Sequence, residues 1–312
     1  MRTLSLGHAS TDRIEEHTLP VSLTLLTGDA ALIARHVDPL PSGFLDRATM
    51  NFQFSNHSWV LRVDGRTVLV DPCTGNGRTG RGLYFDGLDV PYLDRLAAAG
   101  VTPEAVDVVF CTHLHHDHCG WNTRWSEGSW VPTFPNADYV FAEEEYRRWD
   151  TAGPTHTNDF NPNVFDECVR PVAEAGLAKV VPLPYAISPS LTVEHAPGHT
   201  LGHAVLGLDS GGVRAYFTGD AFHHPVQLTR PELHLPGCDD LDTAVATRRA
   251  LVQRALDEDA FVFPAHFPAP HYGRLALDGD EVCFLPGGAA DTTGDDQQPS
   301  VTAELQPSKE QA

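Results

Sequence analysis

Long hydrophobic runs, paired cysteines and clusters of basic residues are what this sequence lacks, and each absence excludes something. No stretch of about 18 or more apolar residues occurs, so no membrane-spanning helix is expected. Arg2 is followed by no apolar core, so the first residues do not read as a secretory signal. The six cysteines (Cys73, Cys111, Cys119, Cys168, Cys238, Cys283) form no CxxC pair. In a chain of this length they read as free thiols, and a cytoplasmic, reducing setting is expected. Acids outnumber bases 42 to 21, for a formal net charge of −21, with no Lys/Arg-rich run to offset it. Such a surface repels phosphate backbones, so nucleic acid is not an expected partner.

What is present is ordinary except for one residue type. Hydrophobic content of 41% and charged content of 20% suit a soluble globular chain with a sizeable core. Seventeen histidines are far more than packing requires, and several stand in tight groups. Residues 1–50 carry a weak signal: an apolar stretch from Leu19 to Ala34, then a Pro- and Gly-bearing loop at 38–43. The stretch reads as a strand and a short helix. From Asn51 the pattern sharpens. Ser58–Val63 and Arg66–Val70 flank Asp64-Gly65 and predict a hairpin. Residues 74–90 are Gly-rich and read as a surface loop, and 92–99 as a helix stopped by Gly100. Short strands are expected at 106–111, 137–141, 179–183, 191–195, 203–208, 213–218 and 260–263. Residues 239–257 predict a helix whose apolar face is Leu241, Val245, Leu251, Val252 and Ala255. From 287 to 312 the chain is polar and reads as a disordered tail. Strands interleaved with helices imply an α/β or α+β sandwich in one domain, 51–286, with 1–50 as an arm or lid packed on it.

The chemistry concentrates in Thr112-His113-Leu114-His115-His116-Asp117-His118-Cys119-Gly120, directly after a predicted strand. His113 and His115 alternate, so an extended backbone would aim both the same way, with His116 aimed elsewhere. Asp117 and His118 then face a second point. Four candidate ligands within six residues exceed what one tetrahedral ion needs from one loop. Two adjacent ions are therefore expected. Three further candidates stand at other strand ends, each behind a small or turn-forming residue: His199 after Pro197-Gly198, Asp220 after Thr218-Gly219, His266 after Pro264-Ala265.

The HxHxDH string with these later partners resembles the metallo-β-lactamase superfamily over roughly 51–272. Within it, Pro197-Gly198-His199-Thr200-Leu201-Gly202-His203 is similar to the PGHTxGH string of acyl-homoserine lactonases and organophosphate hydrolases. The resemblance implies an α+β fold, a four-layer αββα sandwich with its site at one edge of the two sheets. It implies that His113, His115 and His199 hold one metal, that Asp117, His118 and His266 hold the other, and that Asp220 bridges them. Two divalent ions are implied, zinc first, with manganese, iron or cobalt also suited to imidazole and carboxylate donors. Such a pair can share a hydroxide and polarise a carbonyl or phosphoryl oxygen. Asp117 could orient that hydroxide or pass its proton to the leaving group. Several of the lactonases carry Tyr three residues after the bridging aspartate. This chain has His223, whose imidazole could donate to a developing oxyanion or act as an acid.

Other residues keep two readings. Asp71, ending a strand, is either a turn cap or the partner that orients a ligand histidine. His203 is either such a partner or a surface group. Cys119 reads as a small buried thiol. Trp121, Trp125, Trp130, Phe134 and Tyr146 could wall an apolar pocket or fill the core. The expected activity is hydrolysis of a small ester, lactone or related acyl substrate, with a small molecule as partner and a homodimer possible in form. The alternatives are a phosphotriester hydrolase on the same site and a mononuclear iron oxidoreductase of the persulfide dioxygenase kind. True β-lactamases usually lack the bridging aspartate, and hydroxyacylglutathione hydrolases add a basic C-terminal domain where this chain is acidic.

Overall fold

A computed structural model describes residues 3–26, 43–82, 84–150 and 161–287. Residues 27–42, within the expected arm, and the expected tail from 288 onward lie outside the described residues. Two seven-stranded sheets form the frame. The first contains β1 (Leu4–Leu6), β2 (Ala9–Ser22), β3 (Asn51–Val63), β4 (Arg66–Val70), β5 (Val108–Phe110), β8 (Asp138–Ala142) and β9 (Ala178–Val181), adjacent in that order. The second runs in sequence order through β10 (Tyr185–Ser188), β11 (Leu191–His195), β12 (Ala204–Ser210), β13 (Val213–Gly219), β14 (Phe261–Pro264), β15 (Gly273–Asp278) and β16 (Glu281–Pro286). A separate hairpin joins β6 (Thr123–Ser126) to β7 (Ser129–Pro132).

Alternation along the strands builds the layers, because successive side chains leave a strand on opposite faces. Val68, Val70, Val108 and Phe110 point from the first sheet into a core shared with Leu206, Leu208, Ala215, Phe217 and Phe263 of the second. Their neighbours Leu69, Val109, Tyr139 and Phe141 point the other way, against Leu96, Trp149 and Phe165 of the outer layer. On the far side Val205, Tyr216 and Val262 meet Leu251, Val252 and Ala255 of the helix Leu241–Asp257. The result is the expected αββα sandwich. Phe217 and Phe263 stack at 4.7 Å between the sheets, and each such buried ring contributes about 1.5–3 kcal/mol.

The structure departs from the sequence reading in specific places. The segment ahead of Asn51 enters the first sheet: β2 pairs antiparallel with β3 from Ser10↔Arg62 to Ser22↔Asn51. The helix 241–257 buries Ala244 and Arg248 instead of Leu241 and Val245, a shift that brings a guanidinium onto the inner face. The described residues of the loop 74–90 form no helix or strand, yet Arg78 and Arg81 among them are buried and bond to Glu167, Thr123 and Pro162. Strands β15 and β16 lie in a stretch that gave no clear signal. Trp121 and Phe134 pack in the outer core rather than lining a pocket, with Trp121 stacked on Tyr92 at 5.0 Å. Trp125 is exposed and meets Trp130 across the small hairpin.

Because β2 covers the whole length of β3, removing residues 1–22 should unfold the domain rather than open its site. Thermal melting by circular dichroism checks this. A truncated protein with a cooperative melt near that of the full chain would show that the segment is an appendage.

Candidate metal centre

Parallel strands fix where the site lies. β4, β5, β8 and β9 run parallel in one sheet, as do β13 and β14 in the other. Functional groups collect beyond the carboxyl ends of such strands. Asp71 follows β4, the 112–119 string follows β5, Asp220 follows β13, and Ala265-His266 follow β14. His199 joins them from the turn between β11 and β12.

These loops bring together two groups of donor atoms. His113, His115, His199 and Asp220 form one, and Asp117, His118 and His266 the other. In the first, His115 Nδ1 lies 3.0 Å from both His113 Nε2 and His199 Nε2. In the second, His118 Nε2 lies 3.1 Å from His266 Nε2, which is 3.6 Å from Asp117 Oδ2. Asp220 faces both. Its Oδ2 is 3.2 Å from His199 Nε2 and 3.7 Å from His113 Nε2. Its Oδ1 is 3.0 Å from His266 Nε2 and 3.2 Å from His118 Nε2. His116, expected to point away, belongs to neither group and packs edge-on against Phe85 at 4.9 Å.

Partners behind the ring nitrogens decide which of them face inward. Asp71 Oδ1 accepts from the Thr112 amide at 2.7 Å and Oδ2 from the Thr112 hydroxyl at 2.9 Å. With its proton so engaged, the Thr112 oxygen accepts from His113 Nδ1 at 3.1 Å. The same Asp71 Oδ2 stands 3.1 Å from His118 Nδ1. Ser55 carbonyl accepts from His266 Nδ1 at 3.0 Å. His113 and His266 therefore carry a proton on Nδ1 and aim an Nε2 lone pair at the site. Of the two readings of Asp71, the geometry favours the orienting one, and it reaches both donor groups. His203 lies behind Asp220: its Nε2 accepts from the Asp220 amide at 3.2 Å, and its Nδ1 donates to Ala196 carbonyl at 3.0 Å. Burial beside His199 pushes His203 down to about 3, so it stays neutral and keeps that accepting lone pair.

Some positioning residues gave no sequence signal. Glu145, one of three consecutive glutamates, is buried and accepts from the Leu114 amide at 2.8 Å, Trp149 Nε1 at 2.6 Å and Thr200 hydroxyl at 2.7 Å. It ties the 113–118 loop to the loop of His199. Only the fold could single it out. The glycines of that loop and of Thr218-Gly219-Asp220 are sterically required. A Cβ on Gly198 (φ +125) would lie 2.2 Å from the Ala244 nitrogen, and one on Gly219 (φ +49) 2.4 Å from Thr112 Oγ1.

The donor set fits divalent cations. Burial opposes ionisation of Asp220, yet His118, His266 and His223 around it hold its carboxyl well below the usual range. Its Oδ1 is buried and accepts no hydrogen bond, and His113 Nε2 and His199 Nε2 both converge on His115 Nδ1 at 3.0 Å. Converging imidazole and carboxylate donors without thiolate suit zinc and its neighbours. His223 stands beside both groups: its Nε2 is 3.1 Å from Asp220 Oδ2 and its ring is parallel to His266 at 5.9 Å. Burial lowers it to about 4, so it is neutral near pH 7. Cys119 is a fully buried thiol that donates to His115 carbonyl at 3.3 Å and enters neither group.

Comparison with known proteins identifies the family. The model of the metallo-beta-lactamase superfamily matches residues 52–266, and the chain belongs to that superfamily. It is a metal-binding hydrolase of this class. An N-acyl homoserine lactonase of Bacillus sp is 24% identical over 240 residues, covering 72% of this chain and 84% of that one. Among solved structures, the hydrolase AbOPH superposes with a TM-score of 0.74 at 24% identity, over 91% of this chain and 96% of the other. AidC, a dizinc quorum-quenching lactonase, does so at 0.73 and 21% over the same shares. These two likenesses establish the fold. No described helix is long and apolar enough to cross a membrane.

Asp71→Asn replaces the oxygen that faces both Thr112 and His118 with a group that cannot accept a hydrogen bond. Affinity for divalent metal should fall about 10–100-fold with the fold retained, as read by chelator competition alongside circular dichroism. Unchanged affinity would show that Asp71 is only a turn residue.

Proposed function

We propose that this chain is a binuclear metal-dependent hydrolase of a small ester, lactone or related acyl substrate. The observation that carries this reading is Asp220, whose two oxygens each face a separate group of imidazole nitrogens. On this reading His113, His115 and His199 hold one ion, Asp117, His118 and His266 the other, and Asp220 both. Two such ions, most simply zinc, would supply Lewis acidity for a carbonyl oxygen and lower the pKa of a bound water towards neutrality.

The chain's own residues account for the remaining steps. Asp117 has one carboxylate oxygen 3.8 Å from His118 Nε2 and the other 3.6 Å from His266 Nε2. Burial works against its charge, but the neighbouring His116, His118 and His266 keep it an ionised carboxylate. It can therefore take a proton from attacking water and return it to the leaving alkoxide. His223, neutral and with its Nε2 proton directed at Asp220 Oδ2, is placed to donate to charge developing on the substrate carbonyl oxygen. A net charge of −21 disfavours a polyanionic substrate. The lactonase relative directs the first screen to lactones and esters, with phosphotriesters next.

Two substitutions separate the roles. Asp220→Ala should abolish most hydrolysis and release at least one metal ion, as measured by elemental analysis. Retention of two ions by that variant would contradict the bridging role. His223→Phe should keep the metal content and lower kcat about 10²–10³-fold, the usual effect of losing a transition-state donor. Unchanged turnover on the best substrate would remove His223 from the mechanism.

A further inference from the structure

The helix Leu241–Asp257 carries Arg248 on its inner face, 1% exposed, while its neighbour Arg249 is exposed. Among the described residues no carboxylate pairs with it. Arg248 Nε donates to Ala221 carbonyl at 2.7 Å, and Nη1 to the carbonyls of Pro231 at 2.7 Å and Leu233 at 2.8 Å. Its Nη2 is buried without a partner. A guanidinium in the interior with no counter-ion is an expensive feature, and an apolar side chain of similar size would serve packing as well. Its bonds reach only the segment between Asp220 and Leu233.

That segment contains His223, and a second side chain holds it from within. Gln227 Oε1 accepts from the amides of His223 at 2.6 Å and His224 at 3.1 Å. Gln227 Nε2 donates to Leu233 carbonyl at 2.8 Å, the same carbonyl that Arg248 holds. The two side chains form one clamp: Arg248 fixes Ala221 and Leu233 to the helix, and Gln227 ties Leu233 to the backbone of His223. The His224 ring closes the far side by bonding Phe44 carbonyl at 3.0 Å. The imidazole beside Asp220 is thus placed by a chain of bonds running from the middle of a long helix.

We infer that Arg248 is a positioning residue that, through Leu233 and Gln227, sets where the His223 imidazole stands relative to Asp220. The inference rests on the proposed role of His223. Its geometry explains why an arginine occupies this site: a planar fork spans three carbonyls on two stretches of chain, which the point charge of a lysine cannot do. It also separates two duties. The clamp acts on backbone after Asp220, whereas the metal donors are oriented by Asp71, Thr112, Ser55 and His203. Metal retention and His223 placement should therefore be separable by mutation.

The test uses Arg248→Met and Arg248→Lys in the full-length, metal-loaded protein. Amide hydrogen exchange, elemental analysis and steady-state kinetics on the best ester or lactone are the readouts. For Arg248→Met, exchange in residues 221–233 should become at least ~10-fold faster while other regions keep their protection. Both metal ions should stay, and kcat should fall about 10–100-fold with a smaller change in KM, as for a displaced catalytic group. Arg248→Lys should give intermediate values of both, a partial rescue that remains informative if the Met variant folds poorly. Unchanged exchange in 221–233 would overturn the inference, as would faster exchange with unaltered kcat. Loss of metal in step with loss of activity would also overturn it, by placing Arg248 in general stability. If the parent protein hydrolyses no ester or lactone, the functional reading fails, and the exchange result still judges the clamp.

Discussion

One carboxylate facing two sets of imidazole nitrogens is the constraint on which the structure turns. Asp220 presents Oδ2 to His113 and His199 and Oδ1 to His118 and His266. Neither sheet can satisfy it alone. The first supplies the 113–118 string and Asp71, and the second supplies His199, Asp220 and His266. The site therefore exists only while the sheets are in register, and the packed layer of Val70, Phe110, Phe217 and Phe263 between them holds that register. Close-packed interiors transmit small displacements, so the core is part of the site's geometry.

Concentrating so many polar groups out of water is costly unless each is matched. The structure meets this with carboxylates and carbonyls behind the rings. Asp71 reaches one histidine of each donor group, as a charge 3.1 Å from His118 Nδ1 and through the Thr112 hydroxyl for His113. Glu145 locks the two loops that carry the first group. The close approaches at Gly198 and Gly219 complete the fit by letting backbone lie where a methyl group would collide. Asp220 Oδ1 remains unmatched, between the two donor groups where a cation would sit.

The sequence made the donor set legible because ligands in this fold cluster at strand ends, and His113 to His118 stand in one run. The Pro-Gly, Thr-Gly and Pro-Ala pairs ahead of His199, Asp220 and His266 marked the same transition from strand to loop. Hairpin β3–β4, strands β5 and β11 to β14 and the helix 241–257 were legible from alternation and turn residues. Strand β2 was not, because its charged and polar positions hide the period, and pairing with β3 decides it. Arg248 is absent from the expected apolar face of its helix for a similar reason: hydrophobic periodicity passes over a charged residue, and only the carbonyls of 221–233 make an inward guanidinium tenable. Glu145 and Gln227 match no motif: Glu145 joins loops distant in sequence, and Gln227 bonds backbone groups of its own loop that only the folded chain presents.

The central claim is that Asp220 joins two metal positions in one site. Elemental analysis of the full-length protein, purified without added metal, tests it most directly. The account predicts close to two divalent ions per chain, zinc or a similar metal. A single ion per chain, above all one iron with nothing in the second position, would contradict it and put oxidative chemistry in place of binuclear hydrolysis.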